Sequence, residues 1–130
     1  MKRIANGIAL GLGMLLLGAA SPLHAQSDDY AAKASIIQGI EAFDAGAAGA
    51  DSLFALGERH SELAQVAAFN QGRALLENQE AGQQARQSFQ RAIKENDDPA
   101  MVSDAWHNIG NSLLMEQDLE NAIDAYKSAL

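Results

Sequence analysis

The amino-acid sequence predicts an all-α protein built from repeated helical hairpins, and three observations lead to this fold class. Apolar residues recur at helical spacing, as in Trp106, Ile109 and Leu113, and no segment shows the sustained period-two alternation of a strand. Helix-start signals are also present, most clearly Asp98 followed by Pro99, an N-cap residue before a proline in the first turn. Finally, one arrangement of small and aromatic residues occurs three times along the chain.

The amino terminus has the composition of a secretory signal peptide. A short basic start precedes the uncharged apolar run 4–20, and a small residue, Ala25, follows shortly after a proline. Cleavage after Ala25 is expected, and Ala20 offers a second site. A retained membrane anchor is the alternative, but a run of seventeen residues containing four glycines is short for a bilayer span. We therefore expect residues 1–25 to be a signal peptide that directs the chain to the periplasm.

Charge and composition restrict the partners of the remaining domain, residues 26–130. The chain has 17 acidic and 9 basic residues, and removal of the signal peptide would leave a formal charge of −10. Such a surface binds nucleic acid and anionic lipid poorly, so membrane contact is expected only through an uncleaved signal segment. Because the chain has no cysteine, it has no disulfide framework.

A recurring set of small and aromatic residues defines three hairpins, expected at 29–59, 61–96 and 99–130. In the last hairpin Gly110 lies on the first helix, where glycine costs about 1 kcal/mol relative to alanine. We therefore expect another backbone to approach this glycine closely. The first small residue of the second helix follows the glycine by 11, 13 and 12 residues in chain order. The three sets are Gly39, Ala50, Phe54 and Gly57; Gly72, Ala85, Phe89 and Ala92; and Gly110, Ala122, Tyr126 and Ala129.

The last hairpin resembles the tetratricopeptide repeat, a helix–turn–helix unit with a W-L-G-Y…A-F pattern. The resemblance implies a short right-handed α-solenoid of about three hairpins, in which neighbouring hairpins cover one another's apolar stripes. The segments AWHNIGNSLL and AIDAYKSAL are also similar to the repeat proteins that accompany von Willebrand factor A-type membrane proteins of bacterial envelopes. The residues that match without an insertion are Trp106, Ile109, Gly110, Leu113, Ala122, Tyr126 and Ala129, with Leu113 in place of the usual aromatic residue.

The resemblance also implies that a peptide or partner protein binds in a concave groove lined by the first helix of each hairpin. Asparagine both donates and accepts, so it can hold an extended peptide backbone; a plain polar surface is the alternative for each residue. With only Lys33 and Arg73 as cations, the groove suits a mixed or basic ligand better than a C-terminal carboxylate. The main candidates are Asn70, Arg73, His107, Asn108 and Asn111, and the wider groove adds Lys33, Ile36, Ile37, Ile40, Asp44, Phe69, Glu77 and Asp104.

No combination of residues indicates catalysis. His60 and His107 are the histidines left after signal cleavage, and neither has the further ligands of a metal site. Asp97 and Asp98 precede a proline, which favours helix capping over acid–base chemistry. The glycines around Gly46 lack the lysine and serine of a phosphate-binding loop. We therefore expect no cofactor, no metal and no enzymatic activity, and interpret the chain as a non-catalytic adaptor or scaffold.

The last helix raises two alternatives to an adaptor. Its apolar residues fall on one face, and end repeats in such arrays usually need a polar cover. Either the array continues beyond Leu130, or a partner or a second copy covers Leu119, Ile123 and Leu130. The chain would then be a truncated repeat module of a larger secretion or envelope machine, or an envelope structural protein that self-associates through this helix. The stripe consists of Leu119, Ala122, Ile123, Tyr126 and Leu130.

Overall fold

The computed structural model describes residues 22–59, 62–78 and 81–130, and within these ranges it contains six α-helices and no strand. The all-α prediction is therefore confirmed. Residues 1–21 of the predicted signal peptide, together with His60, lie outside the described residues. The helices are α1 (Pro22–Asp44), α2 (Ala50–Glu58), α3 (Ala64–Leu76), α4 (Gly82–Ile93), α5 (Pro99–Met115) and α6 (Leu119–Ser128).

Each helix packs mainly against its neighbours in the chain. The pairs α1–α2, α3–α4 and α5–α6 form three helical hairpins, which we number 1 to 3, and α2 contacts α3 as α4 contacts α5. Smaller contacts join α1 to α3 and α3 to α5. The hairpins are thus stacked in chain order, and α1 begins at Pro22 rather than near Asp29.

Two of the helix starts follow from side-chain caps. The Asp98 carboxylate accepts hydrogen bonds from the backbone amides of Ala100 (3.0 Å) and Met101 (3.4 Å), and Pro99 opens α5. The Asp118 carboxylate likewise accepts from the amide of Asn121 at the start of α6. These bonds satisfy amides that have no partner inside the helix, so the start signal predicted at Asp98 is confirmed.

Helices α1 and α5 end in the same type of turn. Gly46 (φ 65°) and Gln117 (φ 64°) both adopt the left-handed conformation. In each turn this residue's amide donates to the carbonyl three residues back, and the next amide donates to the carbonyl five residues back. Such a turn satisfies the last carbonyls of a helix and usually contains glycine. Gly46 is therefore typical of such a turn, whereas glutamine at position 117 gives no sequence signal for it.

An aromatic ring fills the space beside the first-helix glycine in all three hairpins. A Cβ on any of these glycines would meet ring atoms before anything else outside its own helix. The two helices of each hairpin are therefore packed closely at the glycine, and the atoms nearest to it belong to a flat ring on the second helix rather than to a second backbone. The Cβ-to-ring distances would be 2.7 Å for Gly39 and Phe54, 2.7 Å for Gly72 and Phe89, and 2.5 Å for Gly110 and Tyr126.

The hydrophobic core consists of two clusters, and each lies between successive hairpins. In the first cluster, Phe54 of hairpin 1 packs with Ala67 of hairpin 2. In the second, Phe89 of hairpin 2 packs with Ala105 and Ile109 of hairpin 3. Phe54 and Phe89 are 1% and 0% exposed. The ring of each of these hairpins is therefore covered by the first helix of the next one.

Polar contacts align the stacked hairpins. The Arg91 guanidinium binds both oxygens of the Glu58 carboxylate, at 2.6 and 3.2 Å, and also donates to Gln71 Oε1 at 2.7 Å. In the next interface, Arg86 Nη1 lies 2.8 Å from both Ser112 Oγ and Glu116 Oε1. Exposed ion pairs contribute about 0–1 kcal/mol, so these contacts fix the register more than they stabilise the fold.

We predict that Gly72→Ala destabilises the protein. The buried Phe89 ring has no room to retreat, so overpacking should cost about 1–3 kcal/mol. The better helix propensity of alanine should offset about 1 kcal/mol of this cost. Urea unfolding of Gly72→Ala, of Phe89→Leu and of the double variant Gly72→Ala/Phe89→Leu measures the coupling between the two positions. Because leucine frees space beside position 72, the double variant should be more stable than the two separate losses imply. If the loss of stability of the double variant equals the sum of the two single losses to within about 0.5 kcal/mol, the predicted contact is contradicted.

Candidate functional site

The first helices of the three hairpins lie side by side. The backbone of α3 comes close to those of both α1 and α5. No backbone approach of this extent joins α2 to α4, which the Arg91–Glu58 ion pair connects, or α4 to α6 among the described helices. The first helices are therefore closer together than the second helices. They share one surface that crosses all three hairpins.

Six residues occupy matching positions on this surface, two before and one after each hairpin glycine. All are exposed or half-buried, and the isoleucines on α1 are 58% and 41% exposed. Because the glycine faces the second helix in every hairpin, these positions have the same orientation in each helix. We call this surface the first-helix face, and it consists of Ile37 and Ile40 on α1, Asn70 and Arg73 on α3, and Asn108 and Asn111 on α5.

The central part of the first-helix face is held by contacts within the protein. Asn70 Nδ2 donates to the carbonyl of Val66 at 3.0 Å, and Asn70 Oδ1 accepts from Arg73 Nη1 at 3.3 Å. The Arg73 guanidinium lies 4.8 Å from the ring centroid of Phe43 on α1, a cation–π distance. Arg73 therefore bridges hairpins 1 and 2, and its exposed position still presents N–H groups to solvent.

The asparagines on α5 are oriented in a similar way but keep free polar groups. Asn108 Nδ2 donates to the carbonyl of Asp104 at 2.9 Å, as Asn70 does to Val66. Asn111 Oδ1 accepts from the Tyr126 hydroxyl at 2.8 Å. An amide has two N–H donors and an acceptor oxygen, so one bond leaves capacity for a ligand. The internal bonds fix each amide, and its remaining groups form part of the surface.

Acidic side chains lie on or at the ends of the three helices that form this face, which has a single arginine. Lys33 Nζ lies 2.7 Å from Asp29 Oδ2, and this hydrogen bond raises the pKa of Lys33 above its usual value. Lys33 is therefore already paired, while Asp44, Glu77 and Asp104 are exposed. The electrostatic surroundings suit a ligand that is neutral or basic at its ends.

Two residues expected in the groove pack in or against the hydrophobic core instead. Ile36 is 3% exposed and belongs to the first hydrophobic cluster. Phe69 packs edge-to-face on Phe89, with ring centroids 5.7 Å apart. Both occupy the position three residues before the hairpin glycine, which the next hairpin covers. His107 occupies the same position in hairpin 3 but is exposed, with its ring centroid 5.3 Å from that of Tyr126.

The residues predicted to pack the repeats lie at or near helix contacts. Trp106 is half-buried against the second cluster, and Ala129 is half-buried with its carbonyl 2.6 Å from Ser103 Oγ. Tyr126 is half-buried between Gly110 and solvent. The fully buried members of the set are Gly72, Ala85, Phe89, Ala92, Gly110 and Ala122.

A hollow of about 660 Å³ opens between α5 and α6 at the end of the stack. Its lining is mainly apolar and includes Ile123, Tyr126 and Leu130, with His107 and Lys127 at the sides. The sequence analysis identified the apolar residues of α6 but did not place His107 beside them. His107 aligns with Ile36 and Phe69 in the other hairpins, and this alignment could have indicated its position.

Comparison of the chain with protein-family models, with curated proteins and with solved structures finds no match. In the part of the chain that the structure describes, no three His, Asp or Glu side chains form a group that could hold a metal ion. Among the described helices, none combines the length and the apolar character needed to cross a membrane.

We predict that Tyr126 and Asn111 are energetically coupled. Tyr126→Phe keeps the ring, which is also phenylalanine in hairpins 1 and 2, but removes the hydrogen bond to Asn111. The expected loss of stability is about 1 kcal/mol. A double-mutant cycle with Asn111→Ala, measured by urea unfolding, should give a coupling of about 0.5–1.5 kcal/mol. Tyr30→Phe is the matched control because Tyr30 is 74% exposed, and it should leave stability unchanged. Zero coupling between positions 111 and 126 would contradict the hydrogen bond.

Proposed function

We propose that this chain is a tetratricopeptide-like adaptor that binds a peptide or partner protein through the first-helix face and catalyses no reaction. The observation that carries the proposal is the threefold repetition of the glycine–ring contact, which presents matching first-helix residues on one surface. Repetition of this kind is typical of proteins that bind extended ligands.

A short right-handed solenoid is the arrangement that the resemblance implies, and the packing supports it. The hairpins stack in chain order, and each buried ring is covered by the next hairpin. Because the first helices contact one another more closely than the second helices do, the stack should curve with the first helices inside. The first-helix face is then the concave surface.

The side chains of the face indicate what kind of ligand fits. Neighbouring packed helices are about 8–10 Å apart, so three first helices span roughly 20 Å. An extended peptide of about six residues has that length. Its apolar side chains would contact Ile37 and Ile40, and its backbone would bond to Arg73 and the asparagines. Basic residues at its ends would suit the acidic surroundings.

The test is peptide selection on the purified chain. Peptides are selected from a random heptapeptide display library, resynthesised, and their affinities measured by calorimetry. Asn70→Ala/Arg73→Ala/Asn108→Ala should weaken binding on the order of 10–100-fold, since each lost hydrogen bond contributes about 1 kcal/mol.

The matched control replaces three exposed glutamines on α4, as Gln83→Ala/Gln87→Ala/Gln90→Ala, and should bind as the parent does. Both variants are first checked for unchanged helicity and urea midpoint. If the selected peptides bind the triple first-helix variant as tightly as the parent, the proposed site is wrong.

We also propose that the chain is exported to the periplasm. The basic start, the apolar run 4–20 and the small residue at Ala25 support this. In a bacterial host the full-length chain should appear in the periplasmic fraction, and mass spectrometry should find an amino terminus at Gln26 or Ser21. Leu15→Arg/Leu16→Arg interrupts the apolar run and should keep the chain in the cytoplasm. A periplasmic chain that still begins at Met1 would contradict cleavage.

A further inference from the structure

The last helix has an apolar side that no described residue covers. Ala122 and Ala125 of α6 are buried, at 2% and 4% exposed, whereas Leu119 and Ile123 are 59% and 53% exposed and Leu130 is fully exposed. The predicted apolar stripe is thus divided between an inner side and an outer side. We call the outer surface, formed by Leu119, Ile123 and Leu130 with His107 and Tyr126 in the adjoining hollow, the end face.

The end face is in register with the interfaces inside the stack. Arg86 in hairpin 2 occupies the position of Ile123, and it contacts Ser112 and Glu116 of hairpin 3. Asp51 occupies the same position in hairpin 1, and its carbonyl accepts from Gln71 of hairpin 2 at 3.3 Å. In both hairpins the residue equivalent to Ile123 contacts the next hairpin. The end face, which contains Ile123, therefore continues an interface that the chain already uses.

The side chains of the end face are those of a buried surface. Gly82 and Arg86 on α4 correspond to Leu119 and Ile123 on α6, so the end of the stack has larger apolar residues than an internal interface. Exposed apolar surface of this kind usually marks a site of association. Charged or polar residues would be expected here if water were the only contact.

The opposite end of the stack is unsuited to cover this surface. Gln38 and Glu41 on α1 occupy the positions at which Gln71 and Ser112 contact a neighbouring hairpin, and both are exposed. Head-to-tail stacking of two copies would bury this amide and this carboxylate against leucine and isoleucine. Burial without partners costs several kcal/mol for a charged group, so growth into a filament is disfavoured.

The charges of α6 favour pairing with itself in the antiparallel direction. Glu120 lies in the first turn of α6, Asp124 lies near its middle, and Lys127 lies in its last turn with Nζ 3.1 Å from Asp124 Oδ1. In an antiparallel pair centred near Ile123, Glu120 of each copy approaches Lys127 of the other. A parallel pair would instead place like charges together.

From the register, the apolar side chains and the order of charges, we infer that a second copy of this chain covers the end face. The two α6 helices pair antiparallel about a two-fold axis near Ile123, which is an isologous interface. This pairing does not depend on the proposed peptide site. It leaves Asn70, Arg73 and Asn108 uncovered, so the dimer would present two first-helix faces. A bivalent partner, with two binding segments, would then bind the dimer with higher avidity than it binds one chain.

The experiment is sedimentation equilibrium of the purified chain over a wide range of protein concentration. The mass should rise from one chain to two and then stop. Ile123→Asp should raise the dimer dissociation constant at least about tenfold, because it places a carboxylate beside its own copy. Leu56→Asp is the matched control: Leu56 is 50% exposed on α2, and its replacement should not change the mass.

A charge exchange tests the direction of pairing. Glu120→Lys and Lys127→Glu should each weaken the dimer, and the double variant should restore it, since each exchanged charge again meets its opposite. A parent that stays monomeric at every concentration would overturn the proposal and leave the end face for another protein. Growth beyond two chains, or a double variant no better than the singles, would overturn the two-fold antiparallel arrangement. Peptide binding by Ile123→Asp should equal that of the parent, which separates this proposal from the adaptor function.

Discussion

A flat aromatic ring pressed against a helix backbone at a glycine is the contact on which each hairpin depends. Phe54, Phe89 and Tyr126 all make it, and an added methyl group at the facing glycine would overlap the ring. The contact brings two short helices close enough for alanines to pack between them. Short helices are marginal alone in water, so these hairpins need each other as well as the ring. The next hairpin supplies that second layer by covering Phe54 and Phe89.

The same contact determines which residues face outward. With each glycine turned toward the second helix, the residues two before and one after it point to a common surface on all three first helices. The internal bonds of Asn70, Asn108 and Asn111 then hold polar groups in place before any ligand arrives. Groups that are already ordered lose less entropy on binding than free side chains do. The glycine–ring contact therefore underlies both the packing of each hairpin and the proposed binding surface.

Much of this arrangement could be predicted from the sequence because it rests on residues with distinctive roles. Glycine inside a helix indicates close packing, and Asp98 before Pro99 indicates a helix start. Residues whose place is set by a neighbouring hairpin could not be predicted in this way. Ile36 and Phe69 were expected in the groove because the resemblance placed them there, but Ile36 is buried in the first cluster and Phe69 is half-buried against the second. Gln117 gave no signal for its left-handed turn, since its side chain has no special preference for one.

The division of the core into two clusters has a consequence for the way the protein loses structure. Among the described residues, no hydrophobic cluster joins hairpin 1 to hairpin 3, and hairpin 2 is the element common to both clusters. Hairpin 1 can therefore open while the cluster around Phe89 persists, so amide protons of α1 should exchange with solvent through a smaller fluctuation than those of α4. Protection from exchange would then fall from the middle of the chain toward α1. Hairpin 2 should therefore be the last part of the described chain to lose its structure.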